Sequence, residues 1–146
     1  MNAIEICVGR ASIEQVVEHL NLCDALFVPP LSTKVNITDY AKKLTDLALC
    51  LEAWYQGALV GLLCVYCNEP RNGAFVTNVS IVPEFQGRGM ASELVRNAIE
   101  TVKEIGVDSL RLEVDDTNVI AMRLYRQFGF TPERVTSQST MMILNL

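Results

Sequence analysis

The residues at positions 82 to 92, VPEFQGRGMAS, place two glycines and an arginine where an apolar, strand-like run ends and a helix begins. Gly87 and Gly89 carry no side chain, so the backbone can come close to a bound group. The unpaired N–H groups at the start of the helix favour an anion. The segment therefore predicts a phosphate-binding turn, for which a dinucleotide, a nucleoside triphosphate and coenzyme A are the ligands to compare.

Two of these ligands match the turn poorly. A Walker A loop requires Lys and then Ser or Thr after its second glycine, where this chain has Met90 and Ala91. A dinucleotide fingerprint requires a third glycine where Ser92 stands, although Asp115 at the end of the next strand lies near the expected ribose ligand. Four further residues separate the strand from Gly87, where the dinucleotide turn is tight. A turn with only a structural role is the remaining alternative.

The elements that must position this turn alternate along the chain, without an internal repeat or a linker. We expect one domain over residues 1–146. Strands are predicted at 3–9, 49–55, 58–67, 74–82 and 108–114, with two more within 130–146. Helices are predicted after Ser12 and Asn36, between Gly87 and Gly106, and from Asp116 or Thr117 to Gly129. The pattern predicts helices on a largely antiparallel sheet, with a parallel strand–turn–helix–strand unit at its centre.

Two helices have the clearest apolar spacing. In the helix after the glycine turn, the apolar residues are Ala91, Leu94, Val95, Ala98, Ile99, Val102 and Ile105. They recur at steps of three and four, which predicts one buried face. In the last helix, the expected buried face comprises Ile120, Ala121, Leu124 and Phe128.

Composition limits the partners and the location of the protein. The formal net charge of −5 argues against nonspecific nucleic-acid binding, which uses a basic surface. The longest apolar runs are too short for a membrane span, and the first residues lack a signal-peptide core. We therefore expect a cytoplasmic protein, as a monomer or homodimer, with no membrane partner.

The five cysteines include one CxxC pair, Cys64 and Cys67. Residues three apart in a strand point to opposite faces, and no second CxxC follows. His19 is the only histidine in the chain. We therefore expect these cysteines to act as small apolar residues, with no metal site.

Two segments resemble the GNAT superfamily of N-acetyltransferases. The first, Gln86 to Ala91, resembles the family signature Q/R-x-x-G-x-G/A and lies between a strand and a long helix, as in the family. The second, LEVDDTNVIAMRLYRQFGF, is similar to the ribosomal-protein alanine N-acetyltransferases. Together they cover residues 78–130, whereas the first half of the chain matches only in its order of elements. The resemblance implies an α+β (α/β) fold, in which about four helices flank a mixed sheet of six to seven strands and splayed parallel strands hold acetyl-CoA.

The resemblance also implies which residues bind acetyl-CoA. Backbone N–H groups from Gly87 to Ser92 would hold the pyrophosphate, and Arg88 would either add charge or lie in solvent. Backbone groups of strand residues 79–81 would hold pantetheine, and one N–H there would stabilise an oxyanion. Asn118 matches a position that contacts the pantetheine arm; otherwise it is an exposed residue in a first helical turn. The full set is Val79, Ser80, Ile81, Gln86, Gly87, Arg88, Gly89, Met90, Ala91, Ser92 and Asn118.

Catalytic roles are implied for two further residues. Tyr125 matches the general acid that protonates the departing thiolate, although it could instead pack in the apolar face of its helix. Glu113 matches the base of the alanine acetyltransferases; a bound water or an ion pair with Arg111 is the alternative. The implied reaction is direct attack of a primary amine on acetyl-CoA in a ternary complex, with a small-molecule or peptide acceptor. A non-catalytic CoA-binding regulatory module of the same fold is the alternative function.

Overall fold

The computed structural model describes residues 3–146, with Pro70 described by its backbone only. The strands of the sheet are β1 (Glu5–Val8), β2 (Leu49–Tyr55), β3 (Ala58–Tyr66), β4 (Ala74–Ile81), β5 (Ser109–Asp115), β6 (Thr131–Val135) and β7 (Ser139–Asn145). The α-helices are α1 (Ile13–Cys23), α2 (Ile37–Leu47), α3 (Met90–Ile105) and α4 (Val119–Gln127). Short 3-10 turns lie in the α1–α2 connection and just before α3.

The seven strands form one mixed sheet in the order β1-β2-β3-β4-β5-β7-β6. All neighbouring strands are antiparallel except β4 and β5, which run parallel. The α3 crossover connects this parallel pair, because parallel neighbours cannot be joined by a tight turn. The predicted fold class is confirmed, including the parallel unit at the centre and the β2–β3 hairpin.

The sheet is covered by helices on both faces. Alternate residues of β2 and β3 point to opposite sides, which explains why both strands are almost continuously apolar. On one side Leu51 and Leu63 belong to a core cluster with α3, including Leu94. On the other side Cys50 and Leu62 belong to a cluster with α1 and α2. The central strands therefore form a rigid support for the ends of β4 and β5.

Three of the predicted helix ends are found where the sequence places them. Ser12 Oγ accepts a hydrogen bond from the Gln15 backbone at 3.2 Å, and the Gln15 side chain accepts one from the Ser12 N–H at 2.9 Å, which completes the capping box. Asn36 caps α2 through the backbone N–H of Asp39 at 3.0 Å. Gly106 ends α3 in the left-handed conformation, with φ of 100°.

The predicted start of α4 was wrong, and so was one residue of its predicted buried face. The Asp115 carboxylate accepts hydrogen bonds from the N–H and hydroxyl of Thr117, so these residues form a turn before the helix. Asn118 is the N-cap instead, and its Oδ1 accepts from the Ala121 N–H at 3.2 Å. Ile120 is 83% exposed. The other three residues of the predicted face, Ala121, Leu124 and Phe128, are half-buried against the core, and Tyr125 is the buried residue of α4.

The cysteines lie mostly within the core. Cys64 and Cys50 are paired opposite each other in β3 and β2, with their Sγ atoms 3.3 Å apart, while Cys67 lies beyond the end of β3. Within residues 3–146, no cluster of three or more His, Cys, Asp or Glu side chains is suited to hold a metal ion. Over the same residues, each helix is too short or too polar to cross a bilayer.

A buried carboxylate that the sequence analysis did not single out ties β1 and α1 to the sheet. Glu52 is 1% exposed in β2. It accepts hydrogen bonds from the backbone N–H groups of Arg10 and Ala11, and from the indole N–H of Trp54 at 3.0 Å. Several donors surround the carboxylate, which is the arrangement that makes a buried charge tolerable.

Glu52→Gln should therefore lower the free energy of unfolding by about 2–4 kcal/mol, because an amide has one acceptor oxygen and brings its own N–H groups against these donors. Urea denaturation followed by circular dichroism measures the change. Glu100→Gln, on the exposed side of α3, is the matched control and should change stability very little. Equal effects of the two substitutions would contradict the role given to Glu52.

Candidate active site

A cleft opens where β4 and β5 part. The two strands pair only through Ala74 with Leu110 and Phe75 with Arg111, although β4 continues to Ile81. The resulting cleft has a volume of about 560 Å³. Its walls are formed by β4, β5, one side of α4, the α1–α2 connection with the start of α2, and the turn between β6 and β7.

A β-bulge lies at the point where the strands separate. Cys64 of β3 pairs with Asn78 and Val65 with Val76, so Thr77 is an extra residue in β4. A bulge bends and twists its strand, which turns the rest of β4 away from β5. The Tyr40 hydroxyl of α2 donates a hydrogen bond to the Thr77 carbonyl at 2.9 Å, so the bulge is also held from the side.

After the bulge, β4 is paired on one edge only. Val79, Ser80 and Ile81 stand opposite Leu63, Leu62 and Gly61 of β3, respectively. No strand pairs with their other edge within the described part of the chain. The backbone groups directed to that edge therefore have no strand partner, although the Ile81 carbonyl accepts a hydrogen bond from the Gln86 side chain.

The glycine turn follows the end of β4 directly. Gly87 and Gly89 have φ of 74° and 79°, a left-handed conformation that side chains strain. A Cβ added at either glycine would meet nothing within 4 Å, so the backbone conformation and not crowding within the chain requires glycine. The N–H of Glu93 bonds to the Gly89 carbonyl at 3.1 Å. The N–H groups that precede it in the first turn of α3 have no partner among residues 3–146, which leaves them for an anion.

Side chains on both sides of the glycines hold the turn in place. The Gln86 Nε2 donates to the Ile81 carbonyl at 2.7 Å, linking the turn to the end of β4. The Arg88 guanidinium lies 4.8 Å from the centroid of the Phe85 ring. Met90 is buried, whereas Ala91 and Ser92 are half-buried at the start of α3. Gln86 is thus a support for the turn through its side chain, and Arg88 stacks on a neighbouring aromatic ring.

Tyr125 lies in the wall of the cleft. Its ring packs edge-on against Phe130 with 5.8 Å between centroids, and the residue is 7% exposed. Burial raises the pKa of Tyr125 to about 12, because the phenolate is poorly solvated there. Tyr125 therefore packs against the apolar core, which was the alternative to a catalytic role, and it also lines the cleft. The phenol remains protonated at neutral pH, as a proton donor must be.

Glu113 reaches the same cleft from β5. It points away from the buried neighbour Leu112, and its Oε2 accepts a hydrogen bond from the Ser139 hydroxyl at 3.1 Å. The ion pair with Arg111 that the sequence allowed is not formed, because the Arg111 guanidinium binds Glu133 at 2.7 Å. The Glu113 carboxylate is therefore free of a cationic partner on its own strand.

The cleft brings together predicted residues that are distant in sequence. Val79, Glu113, Asn118 and Tyr125 all line it. Ser80 and Ile81 are buried beside it, and the turn from Gln86 to Ser92 lies beyond the end of β4. The arrangement has the parts that acyl transfer from a phosphate-bearing thioester requires: an anion site, an open strand edge, a carboxylate and a phenol.

Sequence reasoning missed a buried polar network beside the cleft. His19 Nε2 lies 2.9 Å from Ser80 Oγ, and Asn78 Nδ2 lies 3.0 Å from the same oxygen. All three residues are at least nine-tenths buried, and burial lowers the pKa of His19. Asn78 and Ser80 are two residues apart in β4 and so point to the same face, and two adjacent polar side chains on one face of a largely apolar strand are the signal that could have located the network in the sequence.

Comparison with known proteins places the chain in a family. It belongs to the Acetyltransferase (GNAT) family, whose family model matches residues 13–130. A solved structure of PaiA N-acetyltransferase from Thermoplasma acidophilum, in complex with coenzyme A, is similar in fold, with a TM-score of 0.77 at 18% identity. The alignment covers 99% of each chain.

Sequence relatives match over about half of this chain. The N-alpha-acetyltransferase MAK3 of Arabidopsis thaliana is 32% identical over 84 residues, which are 56% of this chain and 44% of that protein. The ribosomal protein bS18-alanine N-acetyltransferase of Haemophilus ducreyi is 34% identical over 64 residues, which are 44% of each chain. The matches thus span about half the length of these curated relatives. The resemblance inferred from the two sequence segments is confirmed.

Proposed function

We propose that this protein is an acetyl-CoA-dependent N-acetyltransferase acting on a primary amine. The observation that carries the proposal is the cleft between β4 and β5. One wall of the cleft is the unpaired edge of β4, and Tyr125 and Glu113 line the walls formed by α4 and β5. The N-terminus of α3, preceded by the left-handed glycines, lies beyond the end of β4. Family membership and the coenzyme A complex of a structural neighbour support the same ligand.

The turn before α3 would hold the pyrophosphate of acetyl-CoA. The N–H groups of residues 87–92 and the helix dipole favour this doubly charged group, and the glycines keep side chains away from it. The open edge of β4, from Val79 to Ile81, would bind the amide groups of pantetheine as an added strand does. Asn118 lines the cleft close to that edge, with its Oδ1 engaged in capping α4.

Each reacting atom then has a partner in the cleft. Acetyl-CoA supplies a thioester carbonyl that an amine attacks directly, forming a C–N bond as the C–S bond breaks. A backbone N–H on the open edge of β4 would stabilise the negative oxygen of that carbonyl. Glu113 would take the proton released from the amine nitrogen, and Tyr125 would donate its proton to the departing thiolate. The products are an acetamide and free coenzyme A.

The charges of the cleft support an amine acceptor. Glu113 and Asp115 contribute carboxylates to the walls, against the single ammonium of Lys34. An acidic cleft attracts a protonated amine, which must lose a proton before it attacks. We propose that the acceptor is a primary amine of a small molecule or of a peptide. The cytoplasmic location and the monomeric or homodimeric state stay predictions.

Acetyl-CoA should raise the melting temperature, because it binds the folded state only. At a concentration 100 times its dissociation constant, the added stability is about 2.7 kcal/mol, or roughly 5–10 °C for a domain of this size. Differential scanning fluorimetry with acetyl-CoA, NAD and ATP measures the effect. NAD and ATP are the controls and should produce no shift. Stabilisation by NAD without any by acetyl-CoA would contradict the proposed ligand.

Turnover decides between an enzyme and a regulatory module. A panel of peptide N-termini, polyamines, amino sugars and arylalkylamines is incubated with acetyl-CoA, and release of free coenzyme A is followed with a thiol reagent. We expect at least one amine class to be acetylated, with the product mass raised by one acetyl group. Tight binding of acetyl-CoA with no turnover of any amine class would favour the regulatory module.

Glu113→Gln should reduce kcat/KM about 10²-fold, because the variant cannot accept the proton of the amine. Glu133→Gln is the matched control, since Glu133 pairs with Arg111 and does not line the cleft. A Glu113→Gln variant with the wild-type kcat/KM would assign the base to a bound water.

A further inference from the structure

One polar atom beside the cleft has no partner within the described residues. Asn78 is 3% exposed and lines the cleft next to the Thr77 bulge. Its Nδ2 donates to Ser80 Oγ at 3.0 Å and to the Leu62 carbonyl at 3.4 Å. Its Oδ1 is buried and accepts no hydrogen bond from residues 3–146. A buried carbonyl left in this state is destabilising unless a ligand or water supplies a donor.

The surrounding hydrogen bonds determine which end of the Asn78 amide is free. His19 Nδ1 lies 3.1 Å from the Leu59 carbonyl, which can only accept, so Nδ1 carries the proton. In the neutral imidazole that burial favours, Nε2 is then an acceptor and takes the hydroxyl proton of Ser80. Ser80 Oγ can therefore accept from the Asn78 NH₂ group. The chain of donors leaves Oδ1 as the unpaired atom of Asn78.

The atom that is left unpaired is an acceptor, and the reactive form of a primary amine has two N–H donors. Its lone pair must point at the thioester carbonyl, and one N–H is directed to the base. Glu113 and Asn78 lie on opposite walls of the same cleft, in β5 and β4. With one N–H directed to Glu113 on the β5 side, the second N–H faces the β4 side, where the buried Asn78 Oδ1 has no donor among the described residues.

We infer that Asn78 determines specificity for primary amines by accepting the second N–H of the acceptor nitrogen through Oδ1. This inference rests on the proposed acetyl transfer. A secondary amine in its reactive form has one N–H, and an alcohol has one O–H, so either would leave Oδ1 unpaired. Sites with an unpaired polar group reject such analogues more strongly than apolar sites do.

The test compares primary amines with their N-methyl counterparts, because both are good nucleophiles. The probes are alaninamide and N-methylalaninamide, and 2-phenylethylamine and N-methyl-2-phenylethylamine, with coenzyme A release as the readout. In each pair, the wild-type protein should have a higher kcat/KM for the primary amine than for its N-methyl counterpart. Asn78→Leu keeps the branching at Cγ and removes the acceptor oxygen, so it should narrow the ratio of kcat/KM for the primary amine to kcat/KM for its N-methyl counterpart about tenfold or more, while the acetyl-CoA dissociation constant stays unchanged. Asn97→Leu, the same substitution on α3 outside the cleft, should leave the ratio unchanged.

A second variant keeps the inference testable if Asn78→Leu does not fold. Ser80→Ala retains Asn78 but removes the oxygen that holds its NH₂ group, so the amide can rotate and the ratio should narrow by a smaller factor. If the folded variants acetylate amines with an unchanged ratio of primary to N-methyl kcat/KM, the role of Asn78 is wrong, whereas the proposed acetyl transfer still stands. If the wild-type protein acetylates no primary amine, the proposed function fails, and the inference fails with it.

Discussion

Tyr125→Phe is expected to lower kcat by about 10²–10⁴-fold while the acetyl-CoA dissociation constant and the melting temperature stay close to their wild-type values. The substitution removes the only acidic group of this side chain and retains the ring that packs on Phe130. Without the phenol, the thiolate must leave unprotonated or take its proton from water. Steady-state kinetics with the best amine of the panel, under conditions where chemistry limits the rate, measure the effect.

The pH dependence of the wild-type enzyme provides a second test of the same assignment. Because burial raises the pKa of Tyr125 to about 12, its hydroxyl stays protonated below about pH 10. A loss of turnover between pH 7 and 10 therefore cannot come from ionisation of this group. Tyr55→Phe is the matched control: Tyr55 stacks on Phe85 beside the glycine turn and does not line the cleft. Wild-type turnover in Tyr125→Phe would exclude Tyr125 as the acid.

Gly89→Glu should abolish acetyl-CoA binding, lowering affinity at least 10²-fold, because it places a carboxylate where a doubly charged pyrophosphate is expected. Gly89 has φ of 79°, so any side chain there also strains the turn. A Cβ at this position would project into open space, and the glutamate is therefore free to extend towards the ligand. Calorimetric titration of the variant with acetyl-CoA measures the loss.

Gly57→Glu separates the loss of binding from backbone strain. Gly57 lies in the β2–β3 turn, has the same φ of 79°, and also meets nothing within 4 Å of an added Cβ. Both variants should lose a similar amount of stability, about 1–2 kcal/mol, but only Gly89→Glu should lose acetyl-CoA binding. Normal binding by a folded Gly89→Glu variant would give the turn a purely structural role.

The sequence alone determined the order of elements and most of their ends. Local chemistry sets these features: Ser12 with Gln15 specifies a helix start, Gly106 a helix end, and alternation along β4 and β5 the strands. The positive φ of Gly87 and Gly89 could also be anticipated, because glycines at a strand-to-helix turn indicate such a conformation. The predicted start of α4 was wrong by one or two residues, because the exact capping residue depends on more than the local sequence. The predicted caps were Asp116 and Thr117, but Thr117 is hydrogen-bonded to the Asp115 carboxylate in a turn, and Asn118 caps the helix instead.

Only the tertiary structure decided how far β4 and β5 separate and which polar side chains meet between them. The bulge at Thr77 depends on pairing with β3 and on the Tyr40 hydroxyl of α2, which are contacts between distant parts of the chain. The partner of Arg111 proved to be Glu133 of β6 and not the adjacent Glu113, because strand order sets which side chains are neighbours. The free Oδ1 of Asn78 follows from a hydrogen-bond network that reaches α1. Helix and strand periodicity are local properties, whereas the chemistry of this cleft depends on nonlocal pairing that no short segment encodes.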